Sequence, residues 1–138
     1  MQIREMNLKE LDTIYEVLSQ LHTSLSFKEF DDLVYDMRHM EYKMIGLFQR
    51  DKLITYAGIA VQTSFYYKRH LMIFDLVTDR EFQREGYAKE MLEYLEVYAK
   101  TAMCENIVLS QSVEKLGKSK FYKPLGFDVE SQAIFKKL

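Results

Sequence analysis

A chain of 138 residues, 48% hydrophobic and 29% charged, has the size and balance of one folded domain around a single core, and its lone proline, five glycines and freedom from low-complexity runs exclude a disordered or fibrous polymer. The formal charge of -2 at pH 7, with Lys and Arg spread along the chain, provides no basic stripe for a phosphate backbone, so no nucleic-acid partner is expected. One cysteine, Cys104, excludes an internal disulfide, no segment approaches the ~20 apolar residues that span a bilayer, and the amino terminus shows no signal-peptide stretch; a cytoplasmic location without membrane attachment is expected.

In chain order, Gln2–Glu5 reads as a short strand. Asn7-Leu-Lys-Glu10 has the form of a capping box, in which the Asn side chain accepts from a free backbone N–H and Glu10 reaches back to the cap. Leu8, Leu11, Ile14, Leu18 and Leu21 then recur at helical spacing through about His22. A second capping box, Ser26-Phe-Lys-Glu29, opens a helix with Phe30, Leu33, Val34 and Met37 on its apolar face. The period then changes. Lys43–Gln49 and Leu53–Phe65 are rich in β-branched, aromatic and aliphatic residues and read as a hairpin about the polar turn Arg50-Asp51-Lys52. After a turn at Tyr66–Arg69, Leu71–Val77 is nearly continuous in apolar residues, as in a strand buried on both faces; Asp75 is the exception.

From Gly86 to about Ala102 the helical period returns, with Ala88, Met91, Leu92, Leu95, Tyr98 and Ala102 on one face and charges on the other. Asn106–Ser110 reads as a buried strand. A weaker helix near Val113–Lys123, interrupted by Gly117, stops at Pro124, and Phe127–Leu138 reads as one or two short strands. With no linker or repeat, residues 1–138 are expected to form a single domain. The expected fold is α/β (α+β): a mixed central sheet of six to seven strands with about four helices, in the order β-α-α-β-β-β-α-β-α-β-β.

The strand, the turn Thr78–Glu85 and the helix opening at Gly86 form the most informative unit. A crossover of this length joins parallel strands and places the turn at the carboxyl end of the first. Unpaired N–H groups and the helix dipole at such a helix start suit an anion such as a pyrophosphate. Gly86 would allow close approach of the backbone, and Ala88 keeps the first helical turn small. The residue order Gln83-Arg84-Glu85-Gly86-Tyr87-Ala88 resembles the coenzyme A-binding motif of the GNAT N-acetyltransferase superfamily, Gln/Arg-x-x-Gly-x-Gly/Ala, just after a strand and just inside a helix. Lys120-Phe-Tyr-Lys-Pro-Leu-Gly-Phe127 resembles the family's second landmark, an aromatic-Tyr pair before Gly-Phe. The resemblance covers essentially the full length. Arg84 stands where glycine is frequent, Glu85 puts a negative charge beside the proposed phosphates, and Lys115 and Lys118 replace the usual Asn and Ala. Those lysines reach cofactor phosphates or are solvated helix residues.

The resemblance implies acetyl-CoA as co-substrate and direct attack of an amine on the thioester, without an acyl-enzyme. It also implies that Leu76, Val77 and Thr78 border the pantetheine arm, that the backbone of Val77 and Thr78 pairs with it as an added strand does, that Gln83–Ala88 hold the pyrophosphate, and that Phe121 and Tyr122 lie near the thiol end. Such a reaction needs a neutral amine, a stabilised oxyanion and a proton for the departing thiolate. Tyr122 matches the position whose phenol faces the sulfur; the competing reading is a core tyrosine. Asp75 is the candidate for drawing the proton from the amine, directly or through water, since an unpaired carboxylate in an apolar strand has a raised pKa. The alternative is a structural carboxylate bonded to backbone N–H groups, with His70 as another base. Cys104 is not needed as a nucleophile and reads as a structural thiol.

His22, His39 and His70 lack metal-ligand spacing, so no metal is expected. The acceptor is an amine of unspecified identity. Glu29, Asp31, Asp32 and Asp36 either steer a cation or form a charged outer helix face. Tyr66 and Tyr67 either line an acceptor pocket or cover the sheet edge. The expected activity is acetyl transfer to a primary amine of a small molecule or a protein; the alternative is a coenzyme A-binding regulatory domain without turnover. Dimerisation is common in the family, and no residue decides whether this chain forms a homodimer.

Overall fold

The computed structural model describes residues 1–110, 119–128 and 133–138. Strand β1 (Gln2–Met6) leads through a 3-10 turn at Leu8–Glu10 into α1 (Leu11–Leu18) and α2 (Phe27–Met37). Then come β2 (Lys43–Gln49), β3 (Lys52–Ser64), β4 (Lys68–Thr78), α3 (Tyr87–Thr101), β5 (Asn106–Leu109) and the single-turn α4 (Ser119–Tyr122). Both capping boxes form, Asn7 with Glu10 and Ser26 with Glu29. The first nevertheless opens the 3-10 turn, and α1 ends at Leu18, four residues before the expected limit at His22. The two-residue turn Arg50-Asp51 closes the β2–β3 hairpin with both residues at positive φ, 49° and 68°, the left-handed pair that matches strand twist even without glycine.

The strands follow chain order in one sheet, β1-β2-β3-β4-β5; the first four pair antiparallel, and β5 joins β4 in parallel after the α3 crossover. Helices α1 and α2 cover one face, burying Ile14, Val17, Leu18, Phe30 and Val34 against Met44, Phe48, Tyr56 and Val77. Helix α3 covers the other with Met91, Leu92, Leu95 and Ala99, packed on Leu47, Ile59, Leu71, Ile73 and Leu76. Each such fully buried aliphatic side chain stabilises the fold by about 1.5–3 kcal/mol.

The sheet has five strands among the described residues, fewer than the six to seven expected. Phe127, Asp128 and residues 133–138 join no strand among the described residues, residues 129–132 lie outside them, and Ile134, Phe135 and Leu138 stand exposed. Apolar composition alone does not make a strand; its backbone must also meet a free edge in register. Gly117, Lys115, Lys118 and most of the expected Val113–Lys123 helix lie outside the described residues, and α4 is the described part of it.

Two features of β4 position the site. Its register against β3 slips between Gly58–Asp75 and Ile59–Ile73, which leaves Phe74 as the extra residue of a β-bulge. Among the described residues its pairing with β5 runs from His70–Asn106 to Ile73–Leu109, while β4 continues to Thr78. At the bulge, the carbonyls of Ile73 and Phe74 both turn to the β5 side and accept from Ser110, Ile73 from its amide at 3.1 Å and Phe74 from its hydroxyl at 3.5 Å.

Candidate active site

Beyond the bulge, β4 continues its antiparallel pairing with β3. The Asp79 amide donates to the Ile54 carbonyl of β3 at 2.8 Å, and backbone alternation therefore turns Val77 to β3 as well, and Leu76 and Thr78 the other way. The Thr78 carbonyl on that side accepts from Gln83 Nε2 at 3.3 Å. Of the three residues expected along the pantetheine arm, Leu76 and Thr78 thus direct backbone groups away from β3. Their side chains divide as well. Leu76 is buried in the α3 cluster and Val77 in the α1–α2 cluster, while Thr78 Oγ1 lies 2.9 Å from Thr55 Oγ1.

The loop after β4 begins with Asp79, whose side chain accepts from the Glu81 amide and caps a 3-10 turn at Arg80–Phe82. Gln83, Arg84, Glu85 and Gly86 are exposed. Arg84 (φ 66°) and Gly86 (φ 85°) both adopt left-handed backbone, and Gly86 is the N-cap of α3 without any side chain bonding the first-turn amides. A Cβ on Gly86 would touch nothing within 4 Å, so this glycine serves the φ value rather than a crowded contact. The amides of Tyr87, Ala88 and Lys89 open the helix with no intrahelical acceptor, and successive N–H groups at a turn of this kind make a concave anion site. The Tyr87 side chain points away from them, its hydroxyl accepting from Gln49 Nε2 at 3.3 Å and its ring packed on Phe82.

Tyr122 is buried in the α3 cluster, 4% exposed, with edge contacts to Phe121 (5.0 Å between centroids) and Phe127 (5.8 Å). Gly126, at φ 91°, turns the chain so that the Phe127 amide reaches the Tyr122 carbonyl. The phenol makes no hydrogen bond among the described residues, and burial pushes its pKa up to about 12.

Asp75 lies on the opposite face of the sheet. It bonds not to backbone amides but to His22, with Oδ1 2.6 Å from Nε2. The Asp75 carboxyl is raised above its ordinary pKa by burial, which the His22 hydrogen bond and charge partly counter. Beneath it, Tyr42 and Tyr56 join hydroxyls at 2.6 Å, both phenols raised by burial, and Tyr42 lies over Gly58, the strand partner of Asp75. A Cβ at Gly58 would come within 1.8 Å of the Tyr42 hydroxyl. His22 carried no signal in the sequence beyond its lack of metal spacing. An acidic residue in an apolar strand does demand a partner, but a partner 53 positions away is visible only in three dimensions.

His70 sits apart, where β4 is paired on both sides. It is 2% exposed, and Nδ1 donates to the Lys68 carbonyl at 2.8 Å. With Tyr66, Tyr67 and Met72 it lines a groove of about 810 Å³ at the β3–β4 hairpin, five residues along the strand from Asp75. Cys104 is partly exposed, its thiol pKa raised by burial. Among the described residues no cluster of His, Cys, Asp and Glu could hold a metal ion, and no helix is long and apolar enough to cross a membrane.

Comparison with known proteins fits this geometry. The model of the acetyltransferase (GNAT) family matches residues 11–127. An uncharacterised N-acetyltransferase of Bacillus subtilis, YhdJ, is 27% identical over 125 residues, 89% of this chain and 87% of the relative. Among solved structures, an acetyltransferase of Trypanosoma brucei superposes with a TM-score of 0.79 at 20% identity, covering 99% of both chains. The aminoglycoside N-acetyltransferase AAC(6')-Iy in complex with CoA superposes with a TM-score of 0.82 at 16% identity, over 99% of this chain and 93% of that one.

Proposed function

Because the chain belongs to the GNAT acetyltransferase family, we propose that it transfers an acetyl group from acetyl-CoA to a primary amine of a small molecule or a protein, by direct attack of the amine on the thioester. One juxtaposition carries this reading. A helix N-terminus without a side-chain cap among the described residues, opened by left-handed Gly86, stands just beyond the carboxyl end of β4.

The pyrophosphate would rest on the amides of Tyr87, Ala88 and Lys89, with Gln83, Arg84, Glu85 and Gly86 forming the loop around it. The pantetheine arm would run beside Thr78, with Leu76 and Val77 bordering it. Its thioester would then stand in the opening between the two faces of the sheet, with Tyr122 and Phe121 on the α3 side and Asp75 on the α1–α2 side. In this arrangement the amine attacks the carbonyl carbon, the C–S bond breaks, and the thiolate takes the phenolic proton of Tyr122. A phenol with a pKa of about 12 stays protonated across the neutral range and is ready to donate. The proton of the attacking amine leaves on the Asp75 side, where the carboxylate is paired with His22.

The test is a melting curve with acetyl-CoA, coenzyme A and adenosine diphosphate, followed by thiol release across a panel of amines. Stabilisation by all three with thiol release for one class of amine is expected. No stabilisation by any of them would overturn the cofactor assignment, and stabilisation without thiol release would overturn the transfer.

A further inference from the structure

His22 and Asp75 come from segments 53 positions apart, and a second bond fastens the same two segments. Gln20 Oε1, in the turn after α1, accepts from the Arg80 amide just beyond β4 at 2.9 Å. The His22 amide bonds the Leu18 carbonyl, and the His22 carbonyl accepts from Leu25, so the turn holds the imidazole in place. The His22 side chain is 46% exposed while that of Asp75 is 16% exposed: the carboxylate is covered and the imidazole faces outward.

A carboxylate can only accept, so the hydrogen on this pair resides on Nε2, and Nδ1 is left with its lone pair. Among the described residues Nδ1 has no partner. We propose that His22, through Nδ1, is the group that takes the proton from the acceptor amine, and that Asp75 is its positioning residue. This deepens the acetyl-transfer reading and rests on it. The ionisable groups on the pair are the phenols of Tyr42 and Tyr56, which face Asp75 from the segment before β2 and from β3. They hold Asp75 from within and leave His22 to the outside.

The step balances. The amine nitrogen bonds to the thioester carbon and gives a proton to Nδ1, forming an imidazolium beside the carboxylate. The C–S bond breaks, and the sulfur takes the proton of Tyr122. Solvent then returns the imidazolium proton to the phenolate, leaving amide and thiol. The arrangement has the logic of an acid–histidine pair in which the carboxylate fixes tautomer and orientation without itself being protonated.

The experiment measures turnover of the full chain with an accepted amine across pH. His22→Gln keeps an N–H for Asp75 but has no basic nitrogen. Its kcat is expected to fall about 10²–10⁴-fold, with the acid limb of the kcat profile lost and acetyl-CoA affinity and melting temperature unchanged. His22→Ala should regain activity when imidazole is added to the medium, a response that a purely structural histidine would not give. Wild-type kcat in His22→Gln, or a slow His22→Ala that imidazole does not lift, overturns the proposal. A wild-type protein that releases no thiol with any amine overturns the acetyl-transfer reading and this inference with it, so the wild type alone separates the two failures.

Discussion

From His70 to Ile73, β4 lies between β3 and β5; from Asp75 to Thr78 it pairs with β3, beyond the described end of β5. The first stretch is also tied at its flank, where Asn106 Nδ2 donates to the Tyr67 carbonyl, Arg69 Nε to the Ala102 carbonyl and the Glu105 amide to the Arg69 carbonyl. In the second, a bulge breaks the regular ladder, and there the chain places its acidic residue and then the Gly86 turn. One strand thus supplies both a rigid ladder and a binding edge. Substitutions should act mainly on stability in the first half and mainly on chemistry in the second.

The largest separation of the two is expected at Tyr122. Tyr122→Phe keeps the aromatic packing and removes a hydroxyl without a hydrogen-bond partner among the described residues. Steady-state kinetics should show kcat reduced about 10²–10⁴-fold with the melting temperature held; equal turnover would make Tyr122 a core tyrosine. Ile73→Ala, in the closed half at 0% exposure, should do the reverse. Denaturant unfolding should register a loss of about 2–5 kcal/mol, and where the variant stays folded its acetyl-CoA affinity should be preserved. A small loss would mean that the closed half relaxes around the cavity and is not the rigid element.

Alkaline pH offers a third way to break the comparison. Tyr42, Tyr56 and Tyr122 are all raised by burial, so in the window above the ordinary phenol pKa, about 10, the folded chain keeps protons that the unfolded chain has lost. Stability is therefore complete below that window and falls as pH rises through it, by up to about 1.4 kcal/mol per pH unit for each such group. Unfolding midpoints collected with phenolate absorbance should fall together with late ionisation; early ionisation of all ten tyrosines without loss of stability would contradict the burial. The smallest effect is expected at Gly86→Ala. A left-handed alanine costs about 1–2 kcal/mol, there is open space for the methyl group, and acetyl-CoA affinity should fall as the turn departs from φ 85°.

Much of the frame was legible in the residues, because local signals and global fold agree. Ser26 and Glu29 capped α2 as the pattern predicts, Lys43–Gln49 became β2 unchanged, and Gly86 stands as the N-cap of α3. In the tail, Phe127–Leu138 has strand composition; its described residues take no strand, and residues 129–132 lie outside the described residues. Periodicity also could not reveal where β5 stops or that Phe74 is a bulge, because both depend on register between strands. At the site, Asp75 was conspicuous as a charge in an apolar run. Its partner was not, because His22 meets it through the packing of the α1–α2 turn. Gly58 likewise reads as an ordinary strand glycine until the ring of Tyr42 is seen above it.

Amide-resolved hydrogen exchange, with and without acetyl-CoA, tests most directly whether the second half of β4 and the start of α3 receive the cofactor while the first half stands unchanged. Slower exchange is expected at Thr78 and at Tyr87, Ala88 and Lys89, with His70–Ile73 unaltered. Protection that spreads evenly along β4, or that leaves the Thr78 and α3 amides unchanged, would contradict this placement of the cofactor.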